Sequence, residues 1–103
     1  MARPYSEKFL QELSLADDTQ TGVILGRLCV DAGLPASYIA IALDATRMTV
    51  YSWFRGQDIR RKKRKEVEAL IAVLQQDFAQ GILPARSRAD AKAYVESLVG
   101  GPI

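Results

Sequence analysis

Apolar residues recur every three or four positions along this chain, in runs separated by short polar stretches that break the rhythm. Phe9, Leu10 and Leu13 make the first run, behind Ser6, whose hydroxyl can accept from a free first-turn amide; a helix is expected through about Ser14. Asp17 and Gln20 stand at capping-box spacing ahead of Leu25, Leu28, Cys29 and Ala32, so a second helix is expected over about 18–32, ended by Gly33. Ile39, Ala40 and Leu43 predict a short helix from Pro35 to Leu43. Val50, Trp53 and Phe54 predict another from Arg47 to Arg55, N-capped by Thr46 and closed by Gly56. Val67, Leu70, Ile71, Leu74 and Phe78 run down one face of a long helix over 61–79, which Gly81 ends and Pro84 keeps from resuming. Ser87 and Asp90 open a last helix over 87–99, with Ala91, Tyr94, Val95 and Leu98 inward and Gly100, Gly101 and Pro102 as the stop. No strand pattern of useful length interrupts these periods. The expected fold is all-α, five to six helices in a single domain over 1–103, with Met1 to Pro4 a flexible end.

The run LPASYIAIALDATRMTVYSWFRG, residues 34–56, stands apart, because two helices separated by only a few residues must turn sharply. Its second helix turns Val50, Trp53 and Phe54 inward and so leaves Arg47, Met48, Thr49, Tyr51, Ser52 and Arg55 outward. The segment resembles the helix-turn-helix of the Cro and phage-repressor family. Leu34, Ile39, Ala40, Leu43, Thr46, Arg47, Thr49, Val50, Trp53, Arg55 and Gly56 match the family's usual residues or replace them conservatively, without a gap. The match spans just under a quarter of the chain.

Several positions depart from the family pattern. Asp44 stands where the turn glycine usually takes positive φ, a region that Asp enters more readily than most side chains. Ala45 is smaller than the usual valine, Pro35 supplies no cap, and Ala36 replaces a glutamine that often meets the DNA backbone. Phe54 replaces a polar residue, and an aromatic there calls for apolar cover from another element or another subunit.

The resemblance implies a lambda-repressor-like fold and sequence-specific binding of double-stranded DNA, as in a bacterial or phage transcriptional regulator or repressor. The second helix would enter the major groove, with Arg47, Met48 and Ser52 meeting base edges and Thr46, Thr49, Tyr51 and Arg55 nearer the phosphates. Arg47 is the candidate for specificity, since its fork matches both acceptors of a guanine. Family members commonly pair two such modules on adjacent half-sites. A homodimer is therefore expected, held by the segment after Glu66, whose two apolar stripes exceed what one small core needs.

Charge adds a second candidate surface. Net charge is only +2, but residues 1–59 hold five basic and seven acidic groups and residues 66–103 hold three and five. The positive excess therefore lies in Arg60, Arg61, Lys62, Lys63, Arg64 and Lys65, directly after the recognition segment. Cations in the first turn of a helix oppose its dipole, so local stability does not explain them. Six in a row cannot all face one way, and two or three on the DNA side would meet phosphates flanking the groove, the alternative being a solvated charged surface. No lipidation signal or amphipathic anchor accompanies them to suggest a membrane.

Catalysis finds no foothold: there is no His, no cysteine pair, no glycine-rich phosphate loop and no metal-ligand spacing, so neither an enzyme nor a cofactor is expected. Cys29 alone excludes an internal disulfide and reads as a small core residue. No apolar stretch reaches the ~20 residues of a membrane span, and Met1 to Leu10 does not resemble a signal peptide, so a cytoplasmic location is expected. Two other functions stay open. One is a protein-interaction module on the same scaffold, using Phe54, Tyr51 and the C-terminal helices against the transcription machinery; the other is a nucleoid-type binder with little sequence preference.

Overall fold

The computed structural model describes residues 5–103; the expected flexible end, Met1–Pro4, lies outside them. Six helices follow in order: α1 (Glu7–Ser14), α2 (Thr21–Ala32), α3 (Ala36–Ala42), α4 (Arg47–Phe54), α5 (Arg61–Ala79) and α6 (Arg88–Val99), with no strand among the described residues. The all-α expectation holds. Among the described residues no helix is long and apolar enough to cross a membrane.

Capping sets where several helices begin. Ser6 accepts from the Phe9 amide, Thr46 from Thr49 and Ser87 from Asp90, all at 3.1 Å, as the spacing implied. The start of α2 is different. The Asp17 carboxylate accepts from the amide and the hydroxyl of Thr19, at 2.9 and 2.8 Å, which holds its pKa below the ordinary range. That local turn competes with a helical cap, so α2 starts at Thr21, later than expected, and Gln20 makes no side-chain cap.

The core forms around α2, which packs on α1, α4 and α5, while α3 packs on α4 and α6. Leu25, Leu34, Ile39, Val50, Phe54, Val67, Leu74 and Val95 are fully buried, each contributing roughly 1.5–3 kcal/mol of apolar transfer. Leu28, assigned to this core by its spacing, is only half-buried. Two glycines set how closely α2 and α4 approach. A Cβ at Gly22 would stand 2.1 Å from the Trp53 carbonyl oxygen, and one at Gly26 would stand 3.0 Å from the Phe54 ring. Helical periodicity gives glycine no such role.

Arg27 on α2 closes the end of α1. Its guanidinium donates to the carbonyls of Leu13 and Ala16 at 3.0 and 3.2 Å and pairs with Asp18. The Leu13 carbonyl also accepts from the Ala16 amide at 3.2 Å, so Arg27 supplements the backbone closure of a helix whose own last turn carries no cation.

The apolar stripes of α5 and α6 are largely consumed inside the chain. Val67, Leu74, Ala91 and Val95 are fully buried, Leu70 nearly so, and Ile71, Phe78, Tyr94 and Leu98 pack at the edge. The Tyr94 hydroxyl donates to the Asp77 carboxylate and ties α6 to α5; partial burial, then that carboxylate, raise its pKa above the usual tyrosine range. Cys29 is wholly buried, and burial pushes its thiol pKa up, in keeping with a core role. What the stripes leave over is a groove of about 490 Å³ between α3, α5 and α6, where Ile41, Val73 and Val99 remain exposed.

Candidate nucleic-acid interface

Between α3 and α4 the chain reverses through Leu43–Ala45. Asp44 takes φ +51°, as its place in the turn required, and the Ala45 amide donates to the Ala40 carbonyl at 2.9 Å. Ala40 is buried where the helices meet. Ala36 is 2% exposed, so the alanine at that position offers nothing to a DNA backbone.

The eight residues of α4 divide into two halves. At its start Arg47, Met48 and Thr49 are exposed, Met48 to 82%. Arg47 makes no ion pair or hydrogen bond with another side chain among the described residues. The Thr46 hydroxyl caps the helix and donates to that of Thr49 at 2.8 Å, so the two are held as a pair. Ser52 is half-buried, and its hydroxyl donates to the Thr49 carbonyl at 2.6 Å; it retains only acceptor capacity toward a base.

The second half lies against α1, and one expectation changes there, while Arg55 stays exposed as expected. Tyr51, expected outward and near phosphates, is half-buried edge-on to Phe9 at 5.1 Å and to Phe54 at 6.0 Å. Arg55 lies over the Phe9 and Tyr51 rings, 5.9 and 5.7 Å from their centroids, and pairs with Glu12 at 3.3 Å. Both side chains serve the contact with α1, an element outside the helix-turn-helix pattern from which their outward position was inferred. Phe54 is fully buried beneath Tyr5, Phe9 and Tyr51. Its cover comes from within the chain, so it neither adds to a subunit surface nor meets a protein partner.

The basic run divides too. Arg60 takes the N-cap position of α5 without a side-chain cap, and the first turn contains no acidic residue. Lys63 turns inward: its ammonium donates to the Leu43 carbonyl at the end of α3 and pairs with Glu66 at 3.3 Å. It is a cap for α3 rather than a free phosphate ligand, because the α3 C-terminus leaves that carbonyl open. Arg60, Arg61, Lys62, Arg64 and Lys65 remain exposed. Through Lys63 they are anchored beside the turn that precedes α4.

The residues that sequence reading missed are Tyr5, Glu12 and Arg27. The stripe of α1 was legible; that its aromatics would stack with Tyr51 and Phe54 was not, since nothing local pairs elements so far apart. No group of His, Cys, Asp and Glu among the described residues is placed to hold a metal. No family model matches the chain, and neither curated proteins nor solved structures gave a match.

Proposed function

We propose that the chain is a sequence-specific double-stranded DNA-binding protein of the Cro and phage-repressor type, acting as a transcriptional regulator in the cytoplasm. The observation that carries this reading is the exposed, side-chain-capped first turn of α4, which presents Arg47 and Met48 to solvent, together with the exposed cations that open α5. A major groove about 12 Å wide admits one helix, and the N-terminal residues of the second helix of such a pair meet base edges. In that register Arg47 reads a guanine, Met48 packs on a thymine methyl, and Ser52 accepts from a base. Arg60, Arg61, Lys62 and Arg64 supply phosphate contacts, and Thr46 and Thr49 line the nearer backbone. The protein binds as a homodimer on two half-sites about one helical turn apart. It is a binding protein and not an enzyme.

The groove of Ile41, Val73 and Val99 favours a second reading, in which the scaffold docks a protein of the transcription machinery or its own copy. Selection of bound sequences from a random duplex pool at near-physiological salt separates the possibilities. A shared motif is the expected outcome. Unselective retention would make the protein a nucleoid-type binder, and no retention would leave the protein-interaction reading. Sedimentation with and without a duplex bearing an inverted repeat tests the dimer; a chain monomeric in both conditions would exclude it.

A further inference from the structure

We propose that Arg86 and Arg88 form a second phosphate-binding patch for the same duplex, at the opposite end of α3 from the cations of α5. The proposal rests on the reading of α4 as the helix that enters the groove.

Two separate ties place the patches. At the C-terminal end of α3, Lys63 donates to the Leu43 carbonyl and anchors the first turn of α5 there. Around the N-terminal end, the Ala85 amide donates to the Ala32 carbonyl at 2.8 Å, and the Ala85 carbonyl oxygen lies 3.2 Å from where a Cβ on Gly33 would stand. Gly33, Leu34 and Pro35 lead directly into α3, and the Tyr5 hydroxyl holds the Leu34 carbonyl at 2.6 Å. Arg86 and Arg88 follow Ala85 immediately, so both start from a point fixed beside the entry to α3.

Both arginines are exposed, and neither guanidinium is paired with a carboxylate among the described residues. The acidic residues nearest in sequence are Asp90, Glu96 and Asp77, of which Asp77 accepts from the Tyr94 hydroxyl and Glu96 from the Ile103 amide. The Asp90 carboxylate accepts from the Arg86 backbone amide at 3.3 Å, at the start of α6, and Asp31 is exposed at the end of α2. With Lys92 one turn further along α6, the segment keeps a positive excess.

α3 has seven residues, Ala36–Ala42, none of them charged, so a phosphate anchor at its N-terminal end must come from another element. At 1.5 Å per residue α3 is roughly 10 Å long, comparable to the ~12 Å width of the major groove. The first helix of a helix-turn-helix crosses the DNA backbone. Cations at both of its ends therefore flank that crossing, where phosphates of the same backbone lie.

The test is a titration of the full chain against a mixed-sequence duplex of about three helical turns, from about 50 to 200 mM salt. Wild type is compared with the Arg86→Gln, Arg88→Gln pair, the Arg86→Lys, Arg88→Lys pair, and the Arg61→Gln, Lys62→Gln pair. The first pair is expected to flatten the salt slope by roughly 0.9 per contact, about 1.8 in all, and the charge-retaining pair to preserve it. Because both side chains are exposed, the glutamine pair should melt as wild type does; if it does not, Arg88→Gln alone carries the test, at half the slope change. An unchanged slope for the arginine pair, with a reduced slope for Arg61→Gln, Lys62→Gln, would overturn the second patch and leave the groove reading standing. A wild-type chain without duplex affinity would overturn both.

Discussion

The two halves of α4 share one helix and one pattern of outward positions, yet they have opposite surroundings. Arg47, Met48 and Thr49 are open, whereas Tyr51, a turn later, is half-buried against Phe9 of α1, and Arg55, though still exposed, is held over the Phe9 and Tyr51 rings and paired with Glu12. Helical spacing determines which residues leave the α3 side of α4. It does not determine whether that outer face meets water or another helix. In this chain α1 covers part of the second half and leaves the first turn open, so the proposed recognition rests chiefly on one short segment.

The contrast can be broken most forcefully at the seal. Phe9→Ala removes the ring that Tyr5, Tyr51, Phe54 and Arg55 all share, and should cost about 3–5 kcal/mol in urea unfolding. A loss under ~1 kcal/mol would mean that α1 is not what closes the second half. Gly22→Ala comes next, at about 1–3 kcal/mol, since its Cβ would meet the Trp53 backbone, which cannot rotate away as a side chain can. If the variant kept wild-type stability, the close approach of α2 to α4 would be wrong.

In the open half, Thr46→Ala loses the cap on the first turn and should cost ~1 kcal/mol, read from the same unfolding curves. The smallest effect belongs to the exposed pair Arg55 and Glu12. A double-mutant cycle with Arg55→Ala and Glu12→Ala should give a coupling of roughly 0.2–1 kcal/mol, weakened by added salt. A coupling that survives high salt undiminished would point to ring stacking rather than the ion pair as what holds Arg55.

Much of this was legible because its causes are local. Ser6, Thr46 and Ser87 announce helix starts through hydroxyls that reach their own first turns, and the left-handed turn at Asp44 is what the resemblance to the helix-turn-helix family implied. The exposure of Arg47 and Met48 follows from the inward stripe of Val50, Trp53 and Phe54. The features that escaped are all long-range. Lys63 reads as one cation among six until the Leu43 carbonyl comes to lie beside it. Gly22 and Gly26 read as weak helix formers until α4 arrives against them, and Arg27 reads as a surface charge until the end of α1 is found within its reach. Composition and period carry no information about which partner an element meets.

Binding titrations of wild type, Arg47→Ala and Arg55→Ala, on the duplex recovered by selection and on a shuffled duplex of the same length, test the central claim most directly. Arg47→Ala should lose roughly 1–3 kcal/mol on the recovered duplex and far less on the shuffled one, with discrimination relaxed at one base pair. Arg55→Ala should leave the ratio of the two affinities unchanged. Equal losses on both duplexes for Arg47→Ala, or a loss of discrimination for Arg55→Ala, would contradict the assignment of recognition to the first turn of α4.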